Sequence, residues 1–179
     1  KYAGNIVTSI LVFFWIWVGV VFNLLYFSML YPMAYLFVVL FILEGIMLAM
    51  AGLFKNRISF QVRADLFGLT GGVMILYALI GYPLIGYATG RGYPYILLTG
   101  MMPCPTTIFT LGILCWTDRQ MPKYILIIPV FYALSGFVPA GLGVIEDIGL
   151  IVAGIVTALL FTFRERLSHR NKEEPVELI

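Results

Sequence analysis

Apolar runs long enough to cross a bilayer, joined by short loops, decide most of what this sequence can become. A hydrocarbon core of roughly 30 Å takes a helix of about 20 residues, with a working range of about 17–25. Stretches at 4–24, 32–54, 66–88, 96–116, 124–140 and 147–163 all fall within it. The runs are continuously apolar and lack the two-residue alternation of barrel strands, so helices are the expected spanning form. With 61% of the 179 residues hydrophobic and 11% charged, no soluble fold of this size has interior enough to hide the apolar surface. The expected fold is therefore all-α: a polytopic transmembrane bundle over residues 1–163, followed by a polar tail at 164–179 that extends the last helix briefly and then loses order.

Charge placement tests the span count independently. With six spans, the N-terminus, the 55–65 loop, the 117–123 loop and the tail share one side. That side carries ten of the eleven Lys and Arg residues, and only Arg91 lies opposite. One miscounted span would scramble the asymmetry. The positive-inside rule then puts both ends of the chain in the cytoplasm, with the bundle in a cell membrane. The net charge of +2 gives no reason to expect a nucleic-acid partner. The first apolar run is too long for a signal peptide and has no small-residue cleavage site, and a start at Lys1 suggests an upstream piece. Small residues at helical spacing (Gly68 with Gly72, Gly45 with Ala49, Gly154 with Ala158) mark close helix approaches, read first as packing within the bundle.

Three features carry possible chemistry. Glu44 sits eleven residues before Lys55, hence roughly 16 Å into the bilayer. A carboxyl there costs on the order of 3 kcal/mol. It is either a proton relay or cation ligand, or a protonated acid bonded to a neighbouring helix.

The fourth span contains Met101-Met102-Pro103-Cys104-Pro105-Thr106-Thr107 and cannot be an ordinary uninterrupted helix, because each proline removes a donor and disfavours helix in the residue before it. The expected helix begins near Pro105, with 96–104 irregular or re-entrant. The amides of Thr106 and Thr107 would face outward with a positive dipole end suited to an anion. Met101, Met102 and Cys104 also allow a soft-metal reading, but a kinked helix with a buried inert thiol is favoured, and no metal or cofactor is expected. Cys104 and Cys115 would lie about 16 Å apart on one helix, too far for a disulfide.

The third feature is polar: Arg91 on one outer loop, and Glu146 with Asp147 opening the last span. Helix capping or a salt bridge to Arg91 would explain the acids. The sharper expectation is one outward-facing pocket lined by Arg91, Cys104, Thr106, Thr107, Glu146 and Asp147. The lone His169 falls in the tail. No Ser/His/Asp set or phosphate loop is present, so an enzyme is not expected. Two functions remain in view: handling of a small solute or ion at the broken helix, or service as an accessory subunit of a membrane complex or homo-oligomer.

Gly81-Tyr82-Pro83, Arg91-Gly92-Tyr93-Pro94 and Pro103-Cys104-Pro105-Thr106-Thr107 through Gly112 resemble the small bacterial membrane proteins of domain-of-unknown-function family 6064. So do Asn23 to Ser28, Ala34-Tyr35-Leu36-Phe37 and Glu146-Asp147-Ile148-Gly149-Leu150. The likeness spans about residues 15–160 and implies no activity. It implies one further upstream span, which would place that longer N-terminus outside. Asn23 stands where the family pattern has His, Glu44 where it has Gln, and Arg91 where His is frequent. Gln at that position weighs against a family-wide proton relay and toward a hydrogen-bonding role.

Overall fold

A computed structural model describes residues 2–62, 64–90, 98–117, 121–141 and 143–173. Among them the chain is all helical. Helices α1 (Tyr2–Met29), α2 (Ala34–Phe54), α3 (Leu66–Ala88) and α5 (Tyr124–Gly141) are each long and apolar enough to cross a membrane. So is the Asp147–Arg164 part of α6 (Asp147–Glu173). Between α3 and α5 lies α4 (Pro103–Cys115), which is too short to do so.

The loops sort into two ends. Gly4 lies against Ile58 and Phe60, Phe60 bridges to Thr117, and the Gln61 amide donates to the Trp116 carbonyl at 2.7 Å. Arg164 at the end of the last apolar stretch stacks over Phe161 and Phe67, 4.4 and 5.3 Å from their ring centres. The start of α1, the loops after α2 and α4, and the end of that stretch therefore meet at one basic end, as the alternation of six helices requires. Arg164 keeps its guanidinium over aromatic faces there, a favourable place for a cation beside an apolar core.

Three helices change pitch. Residues Val18–Tyr26, Ala49–Phe54 and Tyr77–Gly81 are wound as π-helix. The reason is plain in α3. Pro83 has no N–H to give the helix, and the wider turn, in which the Tyr82 amide reaches back to Tyr77 O, carries the helix past it without a break. The helix therefore runs on through Pro83 to Ala88. In α5, Pro129 stays inside the helix, and the chain breaks later, around Ser135 and Gly136.

The short fourth helix is held by its neighbours. It crosses α3 at backbone contact: a Cβ on Gly71 would lie 2.6 Å from the Gly112 carbonyl oxygen, and one on Gly112 2.9 Å from that of Gly71. Trp116 Nε1 donates to Gly68 O at 2.9 Å beside the crossing. The contact thus runs through Gly71 and the Gly68 carbonyl, while Gly72 meets only the Trp116 ring edge. Gly45 packs on Ile16 and Gly154 on Ala133. All three small-residue stretches serve packing within the chain. Trp15, wholly buried, donates Nε1 to Thr110 Oγ1 at 2.9 Å and stacks on Phe41, tying α1, α2 and α4 together at the centre.

Candidate functional site

The chain approaches α4 by folding back into the bundle. Gly100, with φ +83°, packs against the ring of Phe14, near the midpoint of α1. An L side chain would be strained at that angle and would collide with the ring, so glycine is required there. From this re-entrant turn α4 starts at Pro103, two residues before the expected start at Pro105. Prolines at the first and third helical positions have no amide to leave unpaired, which suits a helix start.

This start pairs one of the two amides on which the expected anion site relied. The Thr106 amide is bonded to Met102 O at 3.4 Å. The Thr106 hydroxyl accepts from Gly100 N at 2.8 Å and donates to Met102 O at 2.6 Å, while Thr107 donates to Pro103 O at 2.9 Å. Both threonines are fully buried and brace the turn. They are structural neighbours of the site, with hydroxyls turned to their own backbone.

What gathers at the helix start is a carboxylate. Asp147 Oδ1 accepts from the Tyr82 hydroxyl at 2.5 Å, and Oδ2 accepts from the Cys104 thiol at 3.5 Å. Cys104 Sγ also lies 3.6 Å from the Tyr132 hydroxyl. Next to them Tyr77 donates to the Glu146 carbonyl at 2.7 Å, with the Glu146 side chain buried. The four side chains come from α3 (Tyr82), α4 (Cys104), α5 (Tyr132) and α6 (Asp147), so the cluster joins four helices at the end away from the basic loops. Asp147 is 1% exposed. A carboxylate so placed holds its position only while donors surround it, and here other helices supply them, which goes beyond a helix cap.

Of the residues expected in one pocket, Cys104 and Asp147 meet, Glu146 adjoins them, and Thr106 and Thr107 follow Cys104 in the first turn of α4 with their hydroxyls on backbone groups. Arg91 lies outside the described residues. Glu44 is elsewhere, on α2 about one turn toward the basic end from Phe41. It is fully buried, and neither carboxyl oxygen has a hydrogen-bond partner. The reading of Glu44 as an acid bonded to a neighbouring helix is not met among the described residues.

Sequence reasoning missed Tyr82 and Tyr132. Both read as apolar-span aromatics of the kind that line membrane interfaces. The available signal was that a buried tyrosine hydroxyl must find a partner, and only its pairing with a specific acid needed three dimensions.

Tyr82, Cys104 and Asp147 lie in the stretches that carry the family resemblance, and the family's pattern matches residues 1–172. The chain belongs to DUF6064, a family of unknown function. No curated protein and no solved structure matches the chain.

Proposed function

We propose that the protein is a multi-pass protein of the bacterial inner membrane, with both ends of this chain cytoplasmic, that binds a small solute or ion from the outer side beside the re-entrant turn. The observation that supports this most strongly is the buried Asp147 carboxylate collecting groups from three other helices. Ionisable groups at membrane depth are costly and tend to line solute paths, and broken helices at that depth commonly do the same. The chemistry favours a cation or a donor-bearing solute over an anion. An anion entering here would face Asp147, whereas a cation, amine or hydroxyl could displace the tyrosine and thiol donors from it. The groups suit binding more than catalysis, and the alternation of basic loops supports the orientation.

A second reading, a subunit of a larger membrane assembly or homo-oligomer, has its own support. The outward stripe of Tyr2, Asn5, Ile6, Ser9, Ile10, Phe13 and Phe14 on α1 borders a shallow groove of about 620 Å³. Asn5 and Ser9 are amide and hydroxyl groups on a face that would otherwise meet lipid, and such groups bond across helix contacts.

The test is thiol labelling in intact cells with a membrane-impermeant maleimide. Cys104, half-buried at the cluster, should react from outside, and Cys115, 2% exposed near the basic end, should not. Equal protection of both would remove the outer site.

A further inference from the structure

One hydrogen bond ties the re-entrant turn to α3. The π turn at Tyr77–Gly81 spends the Tyr82 amide on Tyr77 O, and residue 83 is a proline. The carbonyl of Ala78, a residue with no exposed surface, therefore receives neither the Tyr82 amide of the α register nor an amide from position 83 in the π register. A buried carbonyl needs a donor, and one arrives from outside the helix: Thr99 Oγ1 donates to Ala78 O at 2.9 Å. Thr99 pairs as a bridge with Met102, and the next amide, Gly100 N, bonds to Thr106 Oγ1 at 2.8 Å. The hydroxyl is thus carried on the braced turn that starts α4.

The same π turn decides where two tyrosines point. Tyr77 and Tyr82 are five residues apart, which would set them about 140° apart around an α-helix. Closed by a bond from residue 82 to residue 77, the turn stacks them on one side instead. Their rings meet edge to face at 6.3 Å. Their hydroxyls reach consecutive residues at the entry to α6, Tyr77 to Glu146 O at 2.7 Å and Tyr82 to Asp147 Oδ1 at 2.5 Å. Glycines make room for this winding: a Cβ on Gly81 would lie 2.9 Å from Tyr77 Cδ2, and one on Gly149 would overlap the Tyr77 ring. One turn of helix thus carries both contacts, Thr99 on its open carbonyl and the two tyrosines on α6.

We propose that Thr99 is a positioning residue for the Asp147 cluster: by filling the Ala78 carbonyl, the re-entrant turn holds α3 in its π winding and keeps Tyr82 on Asp147. When the turn withdraws, the bare carbonyl is satisfied by taking the Tyr82 amide in the ordinary α register. Pro83 does not forbid that winding, since α5 carries Pro129 inside an α-helix. The change swings Tyr82 around the helix axis and takes its hydroxyl off the acid. Coupling of this kind is reciprocal, so whatever draws Tyr82 from Asp147 also loosens the turn. Only the identification of that draw with a bound solute rests on the function proposed above.

The experiment is a double-mutant cycle on the full chain, read as unfolding equilibrium constants in mixed micelles titrated with SDS. Thr99→Val keeps the shape and removes one hydroxyl, and Tyr82→Phe removes the other. The two hydroxyls share no hydrogen-bond partner, so independent roles would combine to within about twofold in the constant. Coupling through the π turn should instead shrink the Thr99→Val effect in the Tyr82→Phe background by a factor of about five or more. Tyr132→Phe alters the same cluster from α5 and should combine independently with Thr99→Val. Thr99→Ser keeps the donor and should stay near the native constant. Hydrogen exchange gives a readout that needs no change at Thr99: Tyr82→Phe should speed exchange of the amides of residues 100–102, and Tyr132→Phe should not. Independence of Thr99 and Tyr82, equal coupling of Thr99 to Tyr82 and Tyr132, or unchanged exchange in the turn of Tyr82→Phe overturns the proposal. No solute enters the measurement, so its failure is separate from failure of the solute reading.

Discussion

Two buried acids in this bundle are treated in opposite ways. Asp147 is met by a tyrosine hydroxyl on one oxygen and a thiol on the other, from helices far apart in sequence. Glu44 is as deeply buried and is met by nothing. Since a buried polar group costs most when its partners are missing, the first acid is part of what holds the helices together, and the second is a cost that the fold carries. Position sharpens the contrast. Asp147 begins a helix, whereas Glu44 is in mid-helix, one turn from the buried Phe41.

The largest effect should come from the acid that is satisfied. Asp147→Ala leaves the Tyr82 hydroxyl and the Cys104 thiol facing an empty space, and should destabilise the protein by about 3 kcal/mol. Asp147→Asn keeps an acceptor for Tyr82 and should cost about 1 kcal/mol. Thermal unfolding in detergent separates the two. If Ala and Asn behaved alike, the acceptor would not be what matters, and the cluster would lose its place as a tie between helices.

A smaller and more pointed test lies in the two tyrosines. Tyr82→Phe removes a 2.5 Å hydrogen bond to a carboxylate and should cost about 1.5 kcal/mol. Tyr132→Phe removes only a 3.6 Å contact with sulfur, a weak acceptor, and should cost about 0.5 kcal/mol or less. The rings of both remain in place, so the difference reads the hydroxyls alone. Reversal of that order would mean that Cys104, and not Asp147, is the centre of the cluster.

The fold was more legible than the site, for a physical reason. Helix number follows from length, apolarity and alternating charge, which are properties of the linear chain, and the break at Pro103-Cys104-Pro105 follows from missing amides. Both are local. The site depends on which residues face each other across helices. Cys104 and Asp147 could be nominated because a thiol between prolines and an acid at a span's edge stand out in any sequence. Tyr82 and Tyr132 could not, because tyrosine is ordinary in a membrane span until its hydroxyl is seen to touch an acid. The close approach at Gly71 was misread as Gly72 for a similar reason: a glycine repeat identifies a helix face only roughly, and the crossing of α4 fixes which residue makes the contact. The anion reading relied on the Thr106 and Thr107 amides, and the start of α4 at Pro103 bonds the first of these to Met102 O, while both hydroxyls turn to backbone carbonyls one turn earlier, a habit of these residues in helices.

The smallest expected effect on stability concerns the other acid, and it decides whether the comparison holds. Glu44→Met exchanges an unpartnered carboxyl for an apolar side chain of similar length that can adapt to the space it finds. No hydrogen bond is lost, because none is made, and no donor on a neighbouring helix is orphaned. Removing the polar group relieves a desolvation cost of order 1–3 kcal/mol, offset by imperfect packing of the new thioether. The net change should lie within about 1 kcal/mol of zero and on the stabilising side. A loss of about 2 kcal/mol or more, comparable with the loss at Asp147, would mean that Glu44 has a partner that holds α2 in place, and the two acids would then be alike. Stability retained in Glu44→Met would leave that carboxyl no role in how the protein folds, and would set it apart from Asp147, whose partners hold helices together.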